Sequence, residues 1–230
     1  MPTLTLKNIS YHYKKSEKNV LDGVSCSFTS GQMAAVVGPS GSGKTTLLSI
    51  LAGLDAPTGG SFTLDEQEVS CMDMDQWRRQ EVSIIFQAFQ LFPLLTVLEN
   101  VSYPMELNGI SKKEATAQSK LYLAMVGIGE EKYKRYPANL SGGEQQRVAI
   151  ARSLASGARI ILADEPTGNL DGENTENIIT ILKQLAHESG YCVIVVTHDL
   201  EIAEQSDAVW QMKDGKCFMK NPKKIYENLS

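Results

Sequence analysis

The sequence predicts an α/β fold built on a parallel sheet, with a helical segment inserted into it. Three observations predict this. Apolar runs of about five residues alternate with longer amphipathic stretches, the pattern of strands joined by helical crossovers. Two of the runs, Ile160–Ala163 and Cys192–Val196, are apolar on both faces, as central parallel strands are. Between Gln87 and Gly157 the β pattern disappears and capping signals take its place.

Each element has its own local warrant. Met33–Val37 reads as a strand and Lys44–Leu51 as the helix that follows it. Ser83–Phe86 reads as a second strand, and Thr96 as the cap of a helix. Ser111-x-x-Glu114 reads as a capping box opening a helix to Val126, and a third helix follows Ser141. Ile160–Ala163 and Cys192–Val196 flank a helix over Asn174–His187. Ala208–Met212 and Lys216–Met219 flank Asp214-Gly215, a hairpin turn signal. Met72, Met74 and Trp77 form a small apolar cluster, read as core or loop packing in preference to a docking surface.

Composition excludes several functions. The chain has 230 residues, 42% of them hydrophobic, enough to bury a sizeable core as one or two lobes. Its net charge of -5 argues against binding nucleic acid through bulk charge, and the basic stretch Lys220 to Lys224 reads as solvated surface. No apolar run approaches the roughly 18–20 residues that span a bilayer. The N-terminus lacks the charged and apolar regions of a signal peptide. Cys26, Cys71, Cys192 and Cys217 make no C-x-x-C pair, so no disulfide framework or zinc site is expected. These features predict a soluble cytoplasmic chain that meets a membrane only through a partner.

Gly38-Pro39-Ser40-Gly41-Ser42-Gly43-Lys44-Thr45 matches G-x-x-x-x-G-K-[ST], between an apolar strand and a helix. The glycines let successive N–H groups converge on phosphate oxygens, and the helix N-terminus adds to the attraction. Lys44 supplies charge to the terminal phosphates and Thr45 a hydroxyl for Mg²⁺. A chance match in a chain of this length is on the order of one in a hundred.

Three further features stand at element ends. Asp164-Glu165 ends the strand Ile160–Ala163, at the sheet edge where open α/β folds bind ligands. Asp164 suits a metal and Glu165 a water, with an acidic turn before Pro166 as the plain alternative. His198 also ends a strand, where a structural and a functional histidine are equally at home. Leu140-Ser141-Gly142-Gly143-Glu144-Gln145 opens a helix with a hydroxyl and free amides; taken alone, an N-cap with flexible glycines explains it.

Together these elements resemble the ATP-binding subunits of ABC transporters over essentially the whole chain. The matching motifs are the Walker A loop Gly38 to Thr45 with Thr46 following, the signature Leu140 to Gln145, and the Walker B strand Ile160 to Glu165. Asn169-Leu170-Asp171 corresponds to the D-loop, His198 to the switch histidine and Gln87 to the Q-loop glutamine. Tyr13 falls where an aromatic residue stacks on adenine, with Tyr11 two residues off. The resemblance implies a P-loop NTPase (RecA-like) core with a parallel sheet, an N-terminal antiparallel β portion and an inserted α-helical subdomain. It sets the core at 1–87 and 158–230 and the helical subdomain, which carries the signature, at 88–157.

It also implies ATP and Mg²⁺ held in a head-to-tail homodimer. One subunit offers the Walker motifs and the other Ser141, Gly142 and Gly143, which overturns the plain N-cap reading. Thr45, Gln87 and Asp164 would organise Mg²⁺, Asp171 would join the nucleotide site, Glu165 would polarise the attacking water and His198 would steady the γ-phosphate. The implied partner is a separate membrane permease, which would hold the chain on the inner face of the membrane.

Phe86-Gln87-Ala88-Phe89-Gln90-Leu91, Leu95 to Val101 and Ala163 to Asp171 look like the lipoprotein-release and macrolide-efflux group, which exports peptides, antibiotics or lipoproteins. Ala158, where relatives often carry proline, is a departure that touches no catalytic role. A division ATPase that signals to wall hydrolases without moving cargo shares nearly the same motifs. DNA-repair ATPases need a long coiled-coil insertion, and ribosomal ones need two cassettes; neither fits this chain. A small-molecule P-loop kinase has no use for Leu140–Gln145.

Overall fold

The computed structural model describes residues 3–14 and 18–222. In chain order the elements are β1 (Thr3–Tyr11), β2 (Leu21–Thr29), β3 (Met33–Val37), α1 (Lys44–Leu51), β4 (Gly59–Leu64), β5 (Gln67–Glu68), α2 (Met74–Gln76) and β6 (Val82–Ile85). The helices α3 (Val97–Leu107), α4 (Lys112–Met125) and α5 (Gly142–Ala155) follow. The chain then runs through β7 (Ile160–Asp164), α6 (Gly172–His187), β8 (Cys192–Thr197), α7 (Leu200–Glu204), β9 (Ala208–Lys213) and β10 (Lys216–Lys220).

The strands form two sheets. One is antiparallel, in the order β2-β1-β4-β5; the other has the order β10-β9-β3-β8-β7-β6. In the second sheet all pairs are parallel except the edge hairpin β9–β10. Its turn, Asp214 and Gly215, has φ values of 48° and 76°, the left-handed pair that a two-residue hairpin requires.

Alternation along the central strands sorts side chains into two cores. Ile160 and Leu162 of β7, with Cys192, Ile194 and Val196 of β8, meet α1 and the antiparallel sheet on one face. Ile161, Ala163, Val193 and Val195 meet α3, α4, α5 and α6 on the other. The inserted helices therefore share a continuous core with the sheet. Trp77 sits in the first core, donating to the Leu51 carbonyl at 3.1 Å and packing edge-on to Phe62, with Met72 and Met74 beside it. The reading of that cluster as packing holds.

The expected elements are present with small shifts. The strand expected at Ser83–Phe86 occupies Val82–Ile85, and the helix expected from Asn174 starts two residues earlier because Asp171 caps it. Thr96 and Ser141 each form a full capping box, with Glu99 and Glu144. The box read at Ser111 is only half formed. Ser111 Oγ accepts from the Glu114 N–H at 3.3 Å, while the Glu114 carboxylate accepts from Gln118 Nε2 one turn on. Of the basic stretch Lys220 to Lys224, Lys220 ends β10, and Lys223 and Lys224 lie outside the described residues.

Residues 86–96, between β6 and α3, carry neither helix nor strand, and one buried side chain organises them. Asn100 accepts from the Phe92 N–H at 2.8 Å and donates to the carbonyls of Phe92, Leu95 and Thr96 at 3.0–3.1 Å. Replacing it strands those groups away from water. Asn100→Ala is expected to cost about 2–3 kcal/mol, seen as a lower urea midpoint with an unchanged slope.

Candidate functional site

Because β3, β6, β7 and β8 run parallel, their C-terminal ends open on one side of the sheet. The chain leaves β3 into Gly38, β6 towards Gln87, β7 at Asp164-Glu165 and β8 at His198. A cavity of about 750 Å³ lies at this edge. It is lined by Tyr13, Ser40, Gly41, Gly43, Lys44, Thr45, Thr46, Gln87, Asp164, Glu165 and His198, all singled out from the sequence, and by Val20 and Val196, which were not.

The glycine-rich loop wraps its own lysine. Lys44 Nζ donates to the carbonyls of Gly38 and Pro39 at 2.7 and 3.0 Å. A Cβ on Gly38 would collide with the Met212 carbonyl, and Gly43 takes φ 102° with Leu21 2.8 Å from where its Cβ would stand. Only glycine fits either place. Ser42 is buried beneath the loop, and its Oγ has no partner among the described residues. Burial pushes the Lys44 ammonium below its ordinary value, against the opposing pull of Glu165 and Asp164. Tyr13 approaches Thr46 Oγ1 at 3.3 Å at the cavity wall, whereas Tyr11 is buried and donates to Asp55.

The acidic pair is strained and held from behind. Glu165 has φ 47°, a left-handed conformation that costs a non-glycine residue about 1–2 kcal/mol. Proline at 166 disfavours the right-handed alternative. The Glu165 N–H donates to the Val196 carbonyl at 2.8 Å, and its own carbonyl accepts from Gly168. Its carboxylate accepts from Thr197 Oγ1 at 3.3 Å on one oxygen and meets His198 Nδ1 at 2.9 Å on the other. Burial, and then the neighbouring Glu165, push the Asp164 carboxyl above the ordinary range, while Lys44 pulls it back.

Ser141, Gly142, Gly143 and Asp171 do not line this cavity. Ser141 is exposed at the N-terminus of α5. Gly142 lies against Leu170 and Phe89, and a Cβ on Gly143 would strike Asn174. Asp171 caps α6, accepting from the Asn174 N–H and Nδ2 at 2.9 Å, and those bonds hold its carboxyl below the usual range. The two regions are tied within the chain. Gln146 of α5 donates to the Pro166 carbonyl at 2.8 Å, and Asn169 donates to the Gln87 carbonyl at 3.0 Å.

A family model described as ABC transporter matches residues 21–168, well over half of the chain, including the loop, the α5 start and the acidic pair. The chain belongs to the ABC transporter family. The cassette is 42% identical over 229 residues to the macrolide export ATP-binding/permease protein MacB of Shigella flexneri, covering 97% of this chain and 35% of that protein. It thus spans about a third of that relative's length. It is 40% identical over 220 residues to the uncharacterized ABC transporter ATP-binding protein YclH of Bacillus subtilis, covering 96% of this chain and 97% of that one. A dimeric ATP-binding cassette solved in a post-hydrolysis state with ADP and Pi matches with a TM-score of 0.85 at 38% identity, over 95% of this chain and 98% of the other. The two-sheet architecture is thus that of ABC ATPases.

Sequence reasoning missed two contacts in the cassette. Gln87 lies over Gly168, where a Cβ would stand 2.6 Å from its Nε2, and Thr197 supports Glu165. A threonine at the end of an apolar strand carried the only signal for the second.

The Asp164 shift has a consequence for stability. Its folded carboxyl keeps a proton to higher pH than the unfolded one, so its contribution to folding is present at low pH and lost as pH rises through the folded value. Near neutrality its ionised form therefore costs stability. Asp164→Asn is expected to melt at a higher temperature than the parent at about pH 7 without nucleotide, with the gap narrowing towards about pH 4.

Proposed function

We propose that the cassette is the ATP-hydrolysing engine of a membrane transporter, working as a head-to-tail homodimer with ATP held between subunits. One observation carries this: the chain has two helix starts built on serine and glycine, before α1 and before α5, and only the first opens on the cavity. The exposed Ser141 end of α5 completes the cavity of a second copy. The dimeric cassette with ADP and Pi supports both the pairing and the hydrolysis.

In this reading Tyr13 stacks on adenine, and Lys44 leaves the Gly38 and Pro39 carbonyls for the β- and γ-phosphates. The loop amides and the partner's Ser141, Gly142 and Gly143 hold the remaining oxygens, with Asp171 setting the edge that meets the partner. Glu165, aimed by Thr197 and His198, takes a proton from the attacking water, and His198 then steadies the departing γ-phosphate. The Thr45 hydroxyl, the Gln87 amide oxygen and the half-buried Asp164 carboxylate are an all-oxygen set at one cavity, so the residues fit Mg²⁺. When bound, that ion supplies positive charge to the phosphates.

Residues 1–87 and 158–230 then act as the nucleotide core, and 88–157 as the lobe that offers the signature. The partner is a membrane permease. Among the described residues no helix is long and apolar enough to cross a membrane, so the permease would hold the cassette at the inner face. A groove of about 430 Å³ beside the Gln87 loop, with Phe92, Tyr103 and Leu107 exposed, offers it an apolar seat. The likeness to a macrolide export protein favours export of an antibiotic, peptide or lipoprotein-like cargo.

Two experiments test the site. Glu165→Gln is expected to keep ATP binding and lose turnover by about 10²–10⁴-fold; near-normal hydrolysis would refute its role. Lys44→Ala and Ser141→Arg should each be inactive alone. Mixed in equal amounts they should recover up to about a quarter of parental turnover, since random pairing leaves one intact site in half the dimers. A mixture as dead as its parents would contradict the shared site.

A further inference from the structure

The antiparallel sheet meets the central one through β2 and the β9–β10 hairpin. The Asp22 N–H donates to the Gly215 carbonyl at 2.8 Å, and Lys216 Nζ stands 3.9 Å from the Asp22 carboxylate. Further along, Phe28 packs edge-on to Trp210 with ring centroids 6.4 Å apart. Between these stitches Val24, Cys26 and Phe28 face inward in turn, and Cys26 is 4% exposed. Cys217 of β10 is half-buried against the same core, on the strand segment that neighbours Cys26. The other two cysteines stand apart in character: Cys71 is exposed and Cys192 is deeply buried, its thiol pushed up to about 12. The sequence offered no reason to pair any of the four.

We propose that Cys26 and Cys217 are a peroxide-responsive pair that closes into a disulfide and clamps the antiparallel sheet to the hairpin behind the phosphate loop. Cys217, partly open to solvent, is oxidised first: its sulfur attacks hydrogen peroxide, giving a sulfenic acid and one water. The Cys26 sulfur then attacks the Cys217 sulfur, forming the S–S bond, and the hydroxyl leaves with the Cys26 proton as a second water. Two thiols are oxidised and one peroxide is reduced to two waters. Cys26, buried away from solvent, is reached only after Cys217 has been oxidised, which makes it the resolving partner.

The bond would cross a sensitive place. Cys217 faces Met212 in the hairpin register, and Met212 abuts Gly38 and Gly43 of the phosphate loop. β2 begins one residue after Val20, which lines the cavity. The clamp thus joins the wall bearing Val20 to the support of the phosphate loop, and any relative motion of the two sheets during turnover is lost. Its effect on turnover rests on the ATPase reading; the bond itself does not.

The test uses the Cys71→Ser chain, which removes the exposed thiol and leaves three of the four cysteines. After hydrogen peroxide and quenching, the denatured protein is expected to titrate one thiol instead of three. It should yield a peptide linking Cys26 to Cys217, reversed by dithiothreitol. Cys26→Ala in the same background should stop at a Cys217 sulfenic acid trapped by dimedone. Retention of all three thiols, or over-oxidation of Cys217 without the linked peptide, would overturn the pair. Turnover of the oxidised chain should fall and return with dithiothreitol; a linked chain with unchanged turnover would overturn the clamp. An untreated chain without turnover would count against the ATPase reading alone.

Discussion

The site depends on the parallel register of β3, β8, β7 and β6. Asp164 pairs with Val196, Val37 with Thr197 and Ile85 with Ala163, so the four strands stop within about two residues of each other and give up their next residues to one edge. The two hydrophobic cores hold that register, because β7 and β8 send alternate side chains to opposite faces. A slip of one residue along β7 would exchange Ile160 and Leu162 with Ile161 and Ala163, and would turn Asp164 away from the cavity. The packing of apolar methyl groups therefore fixes where the charged groups stand.

The edge itself is poor in local stability. Glu165 is in a left-handed conformation, Asp164 carries a half-buried carboxyl beside another carboxylate, Ser42 keeps a hydroxyl without a partner among the described residues, and Lys44 turns to the carbonyls of its own loop. Each of these is a small cost that a nucleotide with its phosphates is built to relieve. The bonds from Gln146 to Pro166 and from Asn169 to Gln87 join this edge to α5 and to the segment leading into α6. The cavity edge is thereby tied to the helix end that faces away from it.

Much of the central sheet was legible because its strands are short, apolar and followed by helix starts; Met33–Val37 and Lys44–Leu51 match residue for residue. The antiparallel sheet was not legible from periodicity. β1 alternates at Leu4 and Leu6, then Asn8 takes φ 53° and shifts the register, so that Ile9 and Tyr11 turn inward out of phase. The second and third residues of β2, Asp22-Gly23, read as a turn although Gly23 here lies within a strand with φ 66°. Family resemblance, not residue pattern, supplied that half of the fold. Within the site, motifs located the residues that the strand ends carry. They could not locate Gln87 on Gly168 or Cys26 on Cys217, since those contacts join residues far apart in the chain through packing alone.

The central claim is that one chain holds two halves of different sites. Sedimentation of the Glu165→Gln protein with and without ATP and Mg²⁺ tests it most directly. The account predicts a monomer without nucleotide and a dimer retaining one ATP per chain when ATP is added. A protein that saturates with ATP and still sediments as a monomer would contradict it.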